Sequence, residues 1–269
     1  MLLEQIDTQM KKTNKYADIL VVDDCSKKKK IKIKKLSNIR TIDIISLKKN
    51  LGSQKAICIG LKYLKKIKKN TIITVLDSDG EDDSSRIPAM IKTAEKNLDK
   101  VIVSSRIRRR ENFIFKILYF IHKCITFVFT LNWISFGNYS SFQSSNIDKI
   151  LKNNSSWLAF SATVTKNCKI IRLYAERKKR FFGNSKLSFM GLINHSIRVN
   201  SVFMKKILFI STIYIVFFFN FALSNRMFIY LIISSIILFN LCVFITFLLN
   251  RPSDYHNSNA FVKKVKKIY

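Results

Sequence analysis

Residues 71–83, "TIITVLDSDGEDD", pass from a short apolar run directly into a cluster of five carboxylates. The β-branched residues of this run predict a buried strand. Carboxylates held this close repel one another unless a cation, a hydrogen-bond donor or a ligand offsets the repulsion. The stretch therefore predicts a strand that ends in a solvated loop or in a functional site, and the neighbouring segments decide between the two.

Short β-branched runs alternate with helical patterns through the first hundred residues, and a second acidic pair ends one of them in "ILVVDD", residues 19–24. Strands separated by helices predict an α/β fold with a parallel sheet and right-handed crossovers, and ligands bind beyond the carboxyl ends of such strands. Both acidic clusters stand at predicted strand ends, which favours a site. The predicted strands are 18–22, 41–47, 71–77 and 101–105, and the predicted helices are 53–69 and 86–97.

The formal net charge is +31, from 48 Lys and Arg residues against 17 Asp and Glu residues. Such a balance raises nucleic acid or an anionic membrane surface as a partner. Fourteen of the 17 acids lie at or before Glu111, whereas basic residues continue throughout. The basic run "KKKKIKIKK" at 27–35 contains no aromatic residue that could stack on a base, so it predicts a solvated loop and strand edge, and no nucleic-acid partner.

Five cysteines are scattered along the chain without a C-x-x-C pair, and the three histidines form no spaced ligand set with them. This pattern predicts reduced thiols and no zinc or redox centre. The opening "MLLEQIDTQMKK" lacks a basic start followed by an apolar run, so no signal peptide is predicted.

Two apolar segments, 207–223 and 227–249, each approach the ~20 residues that span a bilayer, and they predict two transmembrane helices. Only "SNR", residues 224–226, separates them, which predicts a hairpin. Basic flanks at 204–206 and 263–267 place both ends in the cytoplasm by the positive-inside rule. We therefore expect a multi-pass protein of the cell (inner) membrane.

A third apolar segment, 113–131, is interrupted by Lys116, His122 and Lys123. Charges at the centre of a spanning helix are costly, so this segment predicts an amphipathic helix at the membrane interface. A buried core helix is the alternative.

The carboxylates of Asp77 and Asp79 stand two residues apart at a predicted strand end. Oxygen ligands so placed suit a hard divalent cation, Mg²⁺ or Mn²⁺, which can bridge the two phosphates of a nucleoside diphosphate. A D-x-D pair alone matches many sequences by chance, so its weight depends on the surrounding pattern.

Five motifs in a fixed order resemble those of the family 2 glycosyltransferases, in particular the polyprenyl-phosphate sugar transferases related to dolichyl-phosphate mannose synthase. The motifs are "VVDDCS" (21–26), "NLGSQKAICIGL" (50–61), "LDSDGEDDSSRIP" (76–88), "SSRIRRRE" (104–111) and "RFFGNSK" (180–186). The resemblance covers residues 1 to about 200 and implies a Rossmann-like GT-A nucleotide-sugar-binding domain. It also implies inversion by direct in-line attack.

Site roles follow from the resemblance position by position. It implies that Asp23 or Asp24 holds the base or ribose and that Asp77 lies near the ribose and diphosphate. Asp79 would be a metal ligand, and Glu81 occupies the position of a metal-ligating Gln.

The basic residues of the last two motifs would contact phosphate. Arg106, Arg180 and Lys186 join Asp79 in the implied catalytic set, and Ser185 joins the nucleotide-binding residues. A guanidinium suits this task because it binds phosphate bidentately. A solvated basic run is the alternative for Arg180 and Lys186.

Three departures from the family pattern bear on activity. Cys25 replaces the usual Gly, which is mild if the turn does not need a positive φ. Asn138 replaces a carboxylate sometimes proposed as catalytic, a loss that an already ionised phosphate nucleophile tolerates. The family's opening strand is not found before the first helix, which would leave open edges on the strands that end at Asp23 and Asp77. We therefore expect either an additional β-rich segment upstream of Met1 or poor binding of nucleotide by this chain.

Taken together, the sequence predicts a GT-A domain over 1–200, a transmembrane hairpin over 204–250 and a basic cytoplasmic tail over 251–269. The expected function is transfer of a sugar from a nucleotide-sugar to a polyprenyl phosphate on the cytoplasmic face, with homo-oligomerisation left open. Two alternatives remain: a glycosyltransferase with another glycan or lipid acceptor, and a degenerate, non-catalytic membrane protein that retains the fold.

Overall fold

The computed structural model describes most of the chain. The described residues are 1–26, 35–67, 70–106, 113–176, 178–183, 188–220 and 226–269. The predicted phosphate contacts Ser185 and Lys186 lie outside these residues, as does nearly all of the basic run at 27–35. The chain divides into two compact units, which are described separately.

Unit 1 comprises residues 1–110, 136–185 and 252–269 and contains every strand that the structure describes. Its elements are α1 (Leu2–Lys12), β1 (Ala17–Asp23), β2 (Ile39–Leu47), α2 (Ser53–Ile67), β3 (Ile72–Val75), α3 (Ile87–Lys96), β4 (Lys100–Arg106), β5 (Phe136–Gln143), α5 (Ile147–Leu151), α6 (Phe160–Asn167), β6 (Lys169–Ala175), α10 (Pro252–His256) and β7 (Val262–Lys267).

Unit 2 comprises residues 111–135 and 186–251 and is helical over its described part. Its helices are α4 (Phe113–Thr130), α7 (Phe189–Ser201), α8 (Met204–Asn220) and α9 (Arg226–Leu249).

The predicted strands and helices of the first 106 residues are confirmed. The four predicted strands correspond to β1, β2, β3 and β4, and the two predicted helices correspond to α2 and α3, each within a few residues. Gly60 shows how closely α2 packs on β1, because a Cβ added at this position would lie 3.0 Å from Cγ2 of Val22.

The strands form two sheets, and the prediction of a purely parallel sheet is wrong in part. One sheet has the order β1-β2-β7 and the other β3-β5-β4-β6; among the described strands, the parallel pairs are β1 with β2 and β4 with β6. β5 enters between β3 and β4 in the opposite direction. Its sequence "FGNYSSFQ" contains no apolar run, yet Ser140 and Ser141 are fully buried, and Ser141 forms a hydroxyl pair with Thr74 at 2.8 Å.

Among the described strands, β1 and β3 are each the last strand of their sheet. The sequence predicted open edges for these two strands, which end next to the acidic clusters. All seven residues of β1 are only half-buried. One apolar cluster nevertheless supports both strands, since Ile19 of β1 and Ile72 of β3 pack against it; the fully buried part of this cluster consists of Ile6, Met10, Ile87, Met90, Ala94, Ile102 and Tyr139.

The C-terminal segment, predicted as a basic tail, folds onto unit 1 as α10 and β7. β7 pairs antiparallel with β2 and exposes its four lysines, which protects a sheet edge from pairing with other chains. Nζ of Lys62 donates to Ser258 Oγ at 3.0 Å and to the Tyr255 carbonyl, and lies 3.7 Å from the centroid of the Tyr255 ring. The Tyr255 hydroxyl donates to the carbonyl of Leu151 at 2.6 Å.

Two helices of unit 2, α4 and α9, are each long and apolar enough to cross a membrane. α7 and α8 meet the same criterion only as a pair, with a bend of 91° between them. α8 and α9 overlap most of the two predicted transmembrane segments and are joined by a hydrogen bond from Ser211 Oγ to Asn240 Oδ1 at 3.0 Å. Residues 221–225, which include most of the predicted turn, lie outside the described residues.

α4 coincides with the segment predicted to lie at the membrane interface, and that placement stays a prediction. Two of its polar residues, His122 and Thr126, face protein: His122 is buried and its Nδ1 lies 2.6 Å from Ser196 Oγ on α7. Thr126 is also buried and accepts a hydrogen bond from Asn200 Nδ2 at 3.3 Å. His122 therefore packs between α4 and α7.

Cys25, in the turn after β1, adopts a positive φ, which is unfavourable for residues other than glycine. The replacement of Gly by Cys25 was expected to be mild if the turn did not need a positive φ. Cys25 has φ of 59°, so this condition is not met. The left-handed region costs an L-residue roughly 1–2 kcal/mol, because its Cβ approaches the following carbonyl. The Cys25 thiol recovers little of this cost, since Sγ lies 3.7 Å from the Lys48 carbonyl.

We predict that Cys25→Gly raises the free energy of unfolding by about 0.5–1 kcal/mol, because relief of the positive-φ strain exceeds the added entropy of the unfolded chain. Cys25→Ala is the matched control, since it removes the thiol and keeps the strain. Denaturant unfolding of the detergent-solubilised protein measures both variants. Equal stabilities for the two would contradict this account.

Candidate active site

The acidic loop after β3 is folded by its own backbone N–H groups. The Asp77 N–H donates to Asp82 Oδ2 at 2.9 Å, and the Glu81 N–H donates to Asp79 Oδ1 at 3.0 Å. Asp83 accepts from the Ser85 N–H at 2.9 Å and so caps the short 3₁₀ turn that leads into α3. These donors offset part of the repulsion among the carboxylates.

One guanidinium joins two carboxylates of this loop. Nη2 of Arg180 lies 3.2 Å from Asp79 Oδ2 and donates to Glu81 Oε2 at 3.3 Å. Nε of the same residue lies 3.1 Å from Glu81 Oε1. The structure thus brings together the two predicted metal ligands and one predicted phosphate contact, and shows them paired with one another.

The segment that carries Arg180, residues 178–183, lies along the acidic loop, and we call it the strap. The Phe181 N–H donates to the Asp79 carbonyl at 2.9 Å, and the Lys178 N–H donates to the Glu81 carbonyl at 2.9 Å. Gly80 leaves room for the strap: its φ is +86°, and a Cβ at this position would lie 2.5 Å from the Phe181 ring. A side chain at Gly80 would therefore displace the strap.

Lys178 adds a second ion pair between the strap and the loop. Its Nζ lies 2.6 Å from Asp83 Oδ1. Burial by itself would raise the pKa of Asp83, but the hydrogen bonds from Lys178 and the Ser85 N–H outweigh it and lower this pKa below its usual range. The cavity beside this pair, lined in part by Ser104 and Tyr139, measures about 10 Å³ and has room for one water.

Asp79 and Glu81 fit a hard divalent cation in chemistry and in placement. Both offer carboxylate oxygens, and both lie within 3.3 Å of one positively charged group, so their oxygens converge on one position. Over the described ranges, no cluster of three His, Cys, Asp or Glu side chains could hold a metal. A cation here would therefore take further oxygen ligands from a bound molecule or from water.

The sequence left open whether Asp23 or Asp24 contacts the nucleotide, and their hydrogen bonds differ. Both oxygens of Asp24 accept from backbone N–H groups, at 2.7 Å from Leu51 and 2.8 Å from Gly52, so this residue holds the turn before α2. Among described residues, Asp23 accepts one hydrogen bond at its carboxylate, from the Ser26 N–H to Oδ1 at 3.0 Å. This difference favours Asp23 as the ligand contact.

Asn138 lies beside Asp77, and its Nδ2 donates to Asp77 Oδ1 at 3.1 Å. Asn138 Oδ1 accepts from Gln54 Nε2 at 3.1 Å, and Gln54 Oε1 accepts from the Phe160 N–H at 2.6 Å. Sequence reasoning did not single out Gln54, which stands in the first turn of α2 within an otherwise ordinary helical pattern. Its position in the "NLGSQKA" motif was the available signal.

Arg106 ends β4, but its side chain lies outside the described part of the structure, as do Ser185 and Lys186. The described site therefore consists of Asp23, Asp77, Asp79, Glu81, Asn138 and Arg180, all within unit 1.

A comparison with protein-family models matches residues 1–151 to Glycosyl transferase family 2. This span covers more than half of the chain and includes both acidic clusters, Gln54 and Asn138. No curated protein matches the chain. The matched span, with an α/β arrangement that fits the GT-A fold and acidic residues at the ends of β1 and β3, shows that the chain belongs to glycosyltransferase family 2 and is a glycosyltransferase.

Proposed function

We propose that this glycosyltransferase is anchored in a membrane and moves a sugar from a nucleotide-sugar to a polyprenyl phosphate on the cytoplasmic face. The observation that carries the choice of acceptor is the hydrogen bond from Asn138 Nδ2 to Asp77. An amide in this place cannot remove a proton from an acceptor hydroxyl. A phosphate oxygen is already ionised near neutral pH and needs no general base.

The donor nucleotide would lie between the ends of β1 and β3. Asp23 would accept a hydrogen bond from its base or ribose, and Asp77 would lie near the ribose and diphosphate, as the resemblance implies. Asp79 and Glu81 would hold the divalent cation, which stabilises negative charge on the departing diphosphate. Two carboxylates suffice for this arrangement if the diphosphate oxygens complete the coordination.

Arg180 would change partners when the site is filled. In the structure it neutralises the two carboxylates that a cation would use. A guanidinium and a divalent cation compete for the same oxygens, so cation binding releases Arg180 to contact phosphate, the role that the resemblance implies.

Membrane anchoring rests on the helices of unit 2. α8 and α9 would form the predicted hairpin with both ends in the cytoplasm, and α4 would lie at the interface. Large apolar side chains are exposed along all three helices, among them Phe120 on α4, Phe209 on α8 and Leu241 on α9. In a lipid environment these surfaces would be buried instead of facing water.

We predict that Asp79→Asn weakens Mn²⁺ binding at least tenfold and abolishes sugar transfer, because one charged ligand is lost. Arg180→Gln should tighten the binding of Mn²⁺ in the absence of nucleotide, because the guanidinium that competes for the two carboxylates is removed. The same variant should weaken binding of a nucleoside diphosphate. Electron paramagnetic resonance of Mn²⁺, with and without UDP or GDP, measures these effects independently of turnover.

Asp99→Asn is the matched control for this pair of variants. Asp99 is exposed and has only a 3.8 Å ion pair with Lys169. Its substitution removes the same charge and should leave Mn²⁺ affinity unchanged. Full wild-type turnover in excess chelator would contradict the proposal that sugar transfer requires a divalent cation.

The acceptor is tested with purified protein in detergent, a panel of radiolabelled nucleotide-sugars, and matched polyprenyl phosphate and polyprenol. We expect label in the lipid fraction with the phosphate and none with the alcohol, because only the phosphate supplies an ionised nucleophile. Asp79→Asn serves as the inactive control. Transfer to polyprenol or to a soluble glycan at a comparable rate would establish one of the alternative acceptors instead.

The membrane arrangement predicts that impermeant reagents reach tags at both termini only after the membrane has been permeabilised. A cysteine introduced by Ser224→Cys should react with an impermeant thiol reagent from outside intact cells, with the parent chain and its five native cysteines as control. Protease access to a C-terminal tag in intact cells would refute the hairpin topology.

A further inference from the structure

We propose that Gln54 and Asn138 form a hydrogen-bond relay with one fixed direction, which begins at the N-terminus of α6 and orients Asp77 towards the donor nucleotide. Gln54 is thereby a positioning residue that acts through Asn138. The inference rests on the proposed function only in taking Asp77 as a nucleotide contact, and it is independent of the acceptor.

The relay begins at a backbone N–H group that needs a partner. The first N–H groups of a helix have no acceptor within the helix, and a side chain before the helix usually supplies one. α6 is preceded by Ala159, which has no side-chain acceptor. Gln54 Oε1 takes this role by accepting from the Phe160 N–H at 2.6 Å, and Phe160 itself is fully buried.

This first bond fixes every bond that follows. An N–H group can only donate, so the atom of Gln54 that faces Phe160 must be the oxygen. Nε2 of Gln54 then faces Asn138 and requires an acceptor there, so Asn138 presents Oδ1 at 3.1 Å. Nδ2 of Asn138 is thus directed at Asp77 Oδ1, again at 3.1 Å. Reversal of either amide would place two donors or two acceptors face to face.

The backbone around the relay is held at two places. Asn138 belongs to β5, which pairs with β3 two residues before Asp77, where Val75 faces Ser140. Gln54 follows the turn that Asp24 holds through Leu51 and Gly52. The relay therefore connects the turn after β1 to the loop after β3, the two places from which carboxylates would reach the nucleotide.

The consequence for Asp77 is a fixed orientation. Among described residues, its carboxylate has one hydrogen-bond donor, the neutral amide of Asn138. That bond occupies Oδ1 and turns Oδ2 away from Asn138, so the second oxygen can accept from a ligand hydroxyl. If the Asp77 carboxylate were free to rotate, ordering it on binding would cost conformational entropy and weaken the affinity for the nucleotide.

The test uses Gln54→Met, which keeps the length of the side chain and removes both hydrogen bonds. We expect the Kd for UDP or GDP, whichever the wild type binds more tightly in Mn²⁺, to rise about tenfold and the donor KM to rise with it. The KM for the acceptor should stay unchanged. Gln54→Glu should be at least as damaging, because it still accepts from Phe160 but presents a second acceptor to Asn138.

A double-mutant cycle separates the relay from a purely structural role of Gln54. If Gln54 acts through Asn138, Gln54→Met should have little further effect on nucleotide affinity when it is added to Asn138→Ala. A mere helix cap would lower the melting temperature equally in both backgrounds and leave the affinity unchanged. That result, or a full tenfold effect of Gln54→Met in the Asn138→Ala background, would overturn the relay.

The same measurements keep the relay distinct from the acceptor proposal. Nucleotide affinity and donor KM report on Asp77 whatever molecule receives the sugar. Refusal of polyprenyl phosphate by a wild-type protein that still shows the Gln54 effect would overturn the acceptor and support the relay.

Discussion

Mutual repulsion of the carboxylates between Asp77 and Asp83 is the constraint on which the arrangement of this unit depends. Five negative groups within seven residues are tolerated because each part of the fold brings a compensating donor to them. The loop supplies its own N–H groups, the strap supplies Arg180 and Lys178, and β5 supplies the amide of Asn138. The groups that offset this negative charge are also the groups that a cation and a phosphate would replace or engage.

Local hydrophobic patterns determine which strands and helices the sequence could predict. β1, β3, α2 and α3 are specified by local hydrophobic patterns, and the sequence located them within a few residues. β5 was not predicted, because its burial comes from two flanking strands that cover small polar side chains. β7 was not predicted either, since its lysines give the pattern of a solvated tail.

The residues of the candidate site also divide into those that the sequence could identify and those that depend on contacts between distant segments. A cluster of acids at a strand end is visible in sequence, so Asp77, Asp79 and Glu81 could be named. The pairing of Arg180 with them could not, because it joins residues about a hundred positions apart and the adjacent basic residues have the same local pattern. The role of Asp24 in holding a turn and the role of Gln54 beneath Asn138 likewise depend on contacts between segments distant in the chain.

The return of residues 252–269 to unit 1 has a consequence for how the chain can be assembled. β2 receives its outer neighbour, and Lys62 its partners, from a segment that is synthesised after the helices of unit 2. Unit 1 can therefore be completed only after the apolar helices of unit 2 have been synthesised. A chain cut after residue 200 to make the enzyme soluble would lack this closing strand, and its β2 edge would be open to pairing with other molecules. Unit 1 is thus discontinuous in sequence, and its completion waits for the synthesis of residues 252–269.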